Sequence, residues 1–187
     1  MSGARECGGC DLCCTVLRVD ELAKLGGVPC KHLREAGGCG IYAERPRICR
    51  SYRCQWLQGG FEEEDRPDRL GAVVDLINEA GVLRLAIREA SPGAFDRSAR
   101  LQQIAERYRS FMPVRVTTAD DVMNPDAEFR VLLADGEEQR IAGDRVEVWR
   151  AGRHAETRRL PWGQRVLRRA LQRWRGWRLR RLHPPRT

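Results

Sequence analysis

Eight cysteines are the residues whose type and spacing point most directly to chemistry. Cys7, Cys10, Cys13, Cys14, Cys30, Cys39, Cys49 and Cys54 all lie in the first 54 of 187 residues, and none follows. The opening run is Cys7-x-x-Cys10-x-x-Cys13-Cys14. A two-residue gap lets a tight turn aim two thiolates at one ion, and Gly8 and Gly9 ease that turn. Cys13 and Cys14 are neighbours whose side chains diverge, so they can serve two ions, or one of them can bridge. Cys30, Cys39, Cys49 and Cys54 form a second set. Eight thiolates match two tetrahedral four-sulfur sites or one larger iron–sulfur assembly. Soft thiolates suit zinc, copper(I) and iron–sulfur centres alike.

Two other uses of cysteine fit less well. Disulfides normally spread over the fold that they staple, and a chain of this length has enough core not to need them. Buried apolar thiols are common singly but not at this density. There is no signal-peptide-like apolar run at the N-terminus and no stretch long enough to span a bilayer, so the expected compartment is the cytoplasm, where thiols stay reduced. The first run lacks the three-residue gap and Cys-Pro ending of a bacterial ferredoxin. An all-thiolate zinc site carries a formal charge of about −2, which calls for nearby donors and cations. Arg45, Arg47, Arg50 and Arg53 flank Cys49 and Cys54 and can supply them, or can equally form a solvated basic surface.

The run from Cys7 to Cys14, then Pro29-Cys30, then Cys39-Gly-Ile-Tyr42-x-x-Arg45-Pro46-x-x-Cys49-Arg50-x-Tyr52-x-Cys54, resembles the YkgJ-type cysteine-cluster family. That family is described as a zinc- or iron-chelating CxxCxxCC domain. The resemblance covers about residues 6–57. It implies that all eight cysteines are metal ligands, and that Tyr42, Arg45 and Pro46 hold the loop between the two sets. Flagellin lysine methylases carry a similar cluster, so the resemblance also admits an iron–sulfur enzyme acting on a protein or peptide substrate. No glycine-rich nucleotide loop follows a strand in this chain.

Outside the cluster the signals are weaker. His32, two residues after Cys30, reads as a polar neighbour of the site or a substitute ligand. His154 and His183 sit among arginines. Glu62-Glu-Glu-Asp65 reads as a solvated linker, and no nucleophile with a paired base is evident.

The elements that must position the cysteines fall into an α+β chain of three zones. Residues 1–60 form a cysteine-cluster module, with helices expected over Leu17–Leu25 (Asp20 as cap, Gly26-Gly27 as stop) and after Pro46 from Arg47 to Leu57. Residues 61–150 form the body. Leu70–Ile77 and Val82–Arg88 read as a strand pair. Phe95–Phe111 reads as a helix capped by Asp96, burying Leu101, Ile104, Ala105, Tyr108 and Phe111. Arg130–Ala134 and Arg145–Trp149 supply further strands, with Asp135-Gly136 as a turn. The expectation is a small antiparallel sheet backed by one or two helices. Residues 151–187 read as a basic amphipathic helix after Pro161, ended by Pro184-Pro185.

The formal charge of +8 is concentrated there: residues 150–187 hold thirteen Arg against the single acid Glu156, while residues 61–149 hold nineteen acids against twelve bases. Such a tail can lie on an anionic membrane surface, grip nucleic acid phosphates or meet an acidic protein partner. It can also dock Leu167, Leu171 and Trp174 on the body and leave its arginines in water. Three functions stay open on the sequence: a module that holds or delivers metal, a metalloenzyme acting on a protein, and a zinc-stabilised nucleic-acid binder.

Overall fold

The structure, a computed structural model, describes residues 5–79, 81–118 and 127–182. Its centre is a seven-stranded sheet in which each strand pairs with the next in sequence. The short helices α1 (Leu12–Val16), α2 (Arg47–Ser51) and α3 (Pro67–Leu70) precede it. Strands β1 (Ala72–Glu79) and β2 (Val82–Glu89) form the expected antiparallel pair, in register from Ala72 opposite Glu89 to Glu79 opposite Val82. Gly81 closes their turn at φ +83°, in open space, with its N–H on the Asn78 side chain at 3.0 Å. The requirement there is conformational rather than steric.

Helices α4 (Ala94–Arg97) and α5 (Ala99–Arg109) carry the chain across to β3 (Val114–Thr118), which runs parallel to β2. The remaining strands, β4 (Phe129–Leu132), β5 (Glu137–Ala142), β6 (Arg145–Arg150) and β7 (Arg153–Arg159), return antiparallel. The sheet is therefore larger than expected and contains one parallel pair. Charge hides β5 and β7 in the sequence. β5 carries the acids that meet Arg140 and Arg150 across or along the strands, and β7 is exposed throughout, so neither shows an apolar alternation.

The expected helix over Phe95–Phe111 is two helices. Ser98 breaks it with extended backbone and accepts the Leu101 N–H on its hydroxyl at 3.2 Å, so serine rather than Asp96 caps α5. Asp96 instead pairs with Arg130 at 2.8 Å. Leu101, Ile104 and Ala105 are buried as expected, but Phe111 lies beyond the end of α5, is 62% exposed, and only tilts against the Tyr108 ring.

Alternation places the two faces of β1 and β2 in different environments. Ala72, Val74, Leu85 and Ile87 face α5 and form the main core with Phe95, Leu101, Ile104, Val114, Val116 and Leu132. Val73 and Asp75 face the opposite way, with Arg88, toward the cysteine module, where Val73 packs on Val16. The acidic run is not a solvated linker throughout. Asp65 is buried, binds Arg100 at 2.6 Å through both oxygens, and accepts the Glu62 N–H at 3.1 Å.

The final helix, α6 (Trp162–Leu182), begins just after Pro161. Among the described residues its apolar side chains are exposed, Leu167 to 61% and Leu171 to 46%. Arg165 approaches Asp144 at 3.6 Å. His183 and Pro184-Pro185 lie outside the described residues. No helix among the described residues is long and apolar enough to cross a membrane.

Candidate metal centre

The first cysteine loop is a tight turn, as its spacing implies: Cys10 N–H donates to Cys7 O at 2.8 Å, with Gly8 at φ +53°. α1 follows, carrying Cys13 and Cys14, with Cys14 N–H on Asp11 O at 2.8 Å. Consecutive helical residues diverge by about 100°. Even so, the two thiols act on each other: that interaction pushes Cys13 up, with burial adding to it, and holds Cys14 below the ordinary thiol value.

The helix expected over Leu17–Leu25 is absent, and Lys24 is the reason. Its side chain folds inward until the residue is 5% exposed, and Nζ donates to the carbonyls of Thr15 (2.9 Å), Leu17 and Leu25 (2.9 Å). Those carbonyls are therefore held by a side chain rather than by a continuous helix. What remains is a 3-10 turn over Asp20–Leu22 and a bridge from Val19 to Lys24. Burial lowers the Lys24 pKa, opposed by the charges of Cys30, Cys14, Cys13 and Cys49.

Cys30 is tied to the first loop by its own N–H on Cys14 O at 3.0 Å. Its loop returns as a bridge between Leu33 and Cys39, reinforced by Gly40 N–H on His32 O at 2.8 Å. Gly37 and Gly38 lie here at φ +82° and +78°. A Cβ on them would come within 3.2 Å of Gly9 O and Gly8 O respectively, so the two cysteine loops pack backbone to backbone. Cys49 sits on α2, whose first N–H groups (Arg47 and Ile48) are capped by the Glu21 carboxylate at 3.2 and 3.1 Å. α2 is shorter than expected because the chain after it is drawn to the sheet edge, where Gln55 N–H meets Val74 O at 2.9 Å. Cys54 and Cys13 both pack against Val16 and Val73.

All eight cysteines are free and half-buried, and all eight line one cavity of about 400 Å³. Its other walls are chiefly apolar, among them Val16, Leu17, Ile48, Leu57 and Val73, together with His32. Tyr42 and Arg45 also line it, with the Arg45 guanidinium over the Tyr42 ring at 3.8 Å. Arg50 is exposed and off the cavity wall, as are Arg47 and Arg53. His154 lies far along the sheet, exposed, edge-on to Trp149.

One part of the wall has no counterpart in the sequence reading. Asp75, buried on β1, accepts the Tyr52 hydroxyl at 2.7 Å and Arg88 Nη1 at 2.7 Å on both oxygens. Burial, then the Asp75 charge, push the Tyr52 pKa far up, so its hydroxyl stays a donor. The available sequence signal was an acid inside the apolar run Ala72-Val-Val-Asp-Leu-Ile77. A buried carboxylate there demands a partner.

Among the described residues, no three His, Cys, Asp or Glu side chains are already gathered into a group that could hold an ion. Ion binding would therefore have to draw the sulfurs together. The donors around them do suit a thiolate centre. Arg45 Nε and Trp56 Nε1 are buried donors without an acceptor, and both residues line the cavity. Burial raises Cys10 and Cys54, yet backbone N–H groups favour their thiolates: Leu12 and Asp68 for Cys10, Leu57 and Trp56 for Cys54. Comparison of the chain with protein-family models, with curated proteins and with solved structures found no match.

Proposed function

We propose that this chain is a thiolate metal-binding protein of YkgJ type, holding zinc or an iron–sulfur centre through its eight cysteines. The observation that carries the reading is that every cysteine of the chain, spread over 48 residues of sequence from Cys7 to Cys54, opens onto one cavity. Buried structural thiols have no reason to converge in that way. The ligands would be Cys7, Cys10, Cys13, Cys14, Cys30, Cys39, Cys49 and Cys54, with Lys24 and Arg45 offsetting the thiolate charge. A bound centre would supply cross-linking of glycine-rich loops, worth about 10–16 kcal/mol of apparent binding energy for structural zinc. As an iron–sulfur centre it would supply one-electron chemistry.

The test is elemental analysis with a visible spectrum, on protein purified without oxygen or chelator. About two equivalents of zinc and no colour support closed four-cysteine sites. Iron with acid-labile sulfide and a brown colour support the iron–sulfur form. Protein that carries no metal, and takes none up when reduced, refutes the proposal.

A second reading, a metalloenzyme acting on a protein or peptide, draws support from the Tyr52–Asp75–Arg88 wall. Those groups stand on the same cavity as the cysteines, where a substrate would need polar groups to orient it. Turnover dependent on the loaded centre, and diminished by Asp75→Asn, is the result that reading requires.

A further inference from the structure

We infer that the eight cysteines divide into two unequal four-sulfur sites, Cys7, Cys10, Cys13 and Cys54 forming one and Cys14, Cys30, Cys39 and Cys49 the other, and that the second exchanges its metal first. This rests on the metal-binding reading above and specifies how the ligands are shared.

Backbone ties and packing make the division. Cys7 and Cys10 share one turn, closed by the Cys10 N–H on Cys7 O at 2.8 Å. Cys13 and Cys54 share one apolar floor, Val16 and Val73. On the other side, Cys30 is hydrogen-bonded to Cys14 through the backbone at 3.0 Å, and the Leu33–Cys39 bridge brings Cys39 back toward Cys30. Glu21 holds α2, and so Cys49, against the turn that begins four residues after Val16. The Cys13-Cys14 pair is the seam. The two residues are adjacent on α1 yet belong to different sets.

The inequality follows from what surrounds each set. Four backbone N–H groups buttress the first: Leu12 and Asp68 at Cys10, Trp56 and Leu57 at Cys54. Its floor is anchored to the sheet by the Gln55–Val74 bond at 2.9 Å. Two members of the second set, Cys30 and Cys39, lie on loops whose residues 34–36 and 42–44 are exposed. The set's compensation comes mainly from side chains: Lys24 acts with Cys30, Cys14 and Cys49, and also with Cys13 of the first set, and Arg45 acts with Cys39. Arg45 also acts with Cys7, at the boundary between the sets. Fixed N–H donors on a sheet-anchored floor resist opening, and exposed loops open at lower cost. Binding needs no oxidant or reductant, since each thiol releases its proton to solvent as its sulfur takes the ion.

The test uses the full chain, reduced and anaerobic, with cobalt(II) as the probe, and compares Cys54→Ser and Cys10→Ser with Cys39→Ser and Cys49→Ser. Wild type is expected to take about two equivalents and each variant about one. Cys39→Ser combined with Cys49→Ser is expected to lose no more than either alone, while Cys39→Ser with Cys10→Ser loses both. A chelator should strip wild type in two phases, with the fast phase missing from Cys39→Ser and Cys49→Ser but kept in Cys10→Ser. Far-UV dichroism of the sheet checks that the variants fold, and two variants per set guard against one that does not. Variants that each lose both ions, or a fast phase that survives in the Cys39 and Cys49 variants, overturn the division while leaving metal binding intact. Wild type that binds no cobalt overturns both.

Discussion

Replacing Asp75 by Ala is the sharpest probe of how the sheet carries the cysteine module. The carboxylate is buried and joins three elements: β1, which bears it, β2 through Arg88, and the segment after α2 through Tyr52. Removing one partner of a buried ion pair costs about 3–5 kcal/mol, because the other charge is left without compensation. Arg88 keeps 28% of its side chain in solvent and can rehydrate, which places the expected loss at the lower end, about 3 kcal/mol. Tyr52→Phe removes one hydrogen bond to a charge but leaves Arg88 in place, so about 1.5 kcal/mol is expected. In the double variant the hydroxyl has already lost its acceptor. The sum should therefore fall short of additivity by about 1.5 kcal/mol. Urea unfolding of the reduced chain, followed by far-UV dichroism, measures all three. A loss below about 1 kcal/mol for Asp75→Ala, or full additivity in the double variant, would refute the claim that this triad joins module to sheet.

Other outcomes follow from the same geometry. Gly38→Ala forces a side chain into positive φ and against Gly8 O at 3.2 Å, whereas Gly8→Ala meets only the φ penalty. Unfolding curves should show Gly38→Ala as the costlier change, by about 1 kcal/mol. Lys24→Met strands three carbonyls and removes a cation from the thiols, so a stability loss of about 2–3 kcal/mol is expected, with faster metal release to a chelator. The hydrogen bonds from Arg100 hold the Asp65 carboxyl below its ordinary 3.8. Folding thus disfavours its protonation, and the stability it contributes is complete above the unfolded value and lost as pH falls through the depressed folded one. Asp65→Asn should accordingly be less stable at neutral pH and converge on wild type in acid, read from unfolding midpoints against pH. Truncation after Pro161 removes an element whose described apolar side chains are exposed, and should change stability by no more than about 0.5 kcal/mol in the same assay.

How much could be read beforehand depended on whether the signal was local. The β1–β2 pair was legible because apolar residues fill both runs around Asn78 and Gly81, although the expected first strand began too early: Leu70 ends α3, Gly71 turns the chain at φ +68°, and β1 starts at Ala72. The eight candidate ligands were legible from type and spacing, as was the turn from Cys7 to Cys10. The helix expected over Leu17–Leu25 failed because a lysine turned inward to take up carbonyls, which no periodicity reveals. The buried triad was hidden for a similar reason: Tyr52, Asp75 and Arg88 are polar residues from three segments that make sense only once those segments meet. β7 went unseen because an exposed edge strand of Arg, His, Glu and Thr has no apolar face to display.

The confinement of cysteine to one cavity has a practical corollary. The sheet, the crossover helices and α6 contain no sulfur nucleophile, so a thiol-alkylating reagent reports on this cavity and on nothing else in the chain. Counting alkyl adducts by intact mass would register each sulfur sheltered by a bound ion, turning occupancy of the site into a ladder of discrete masses.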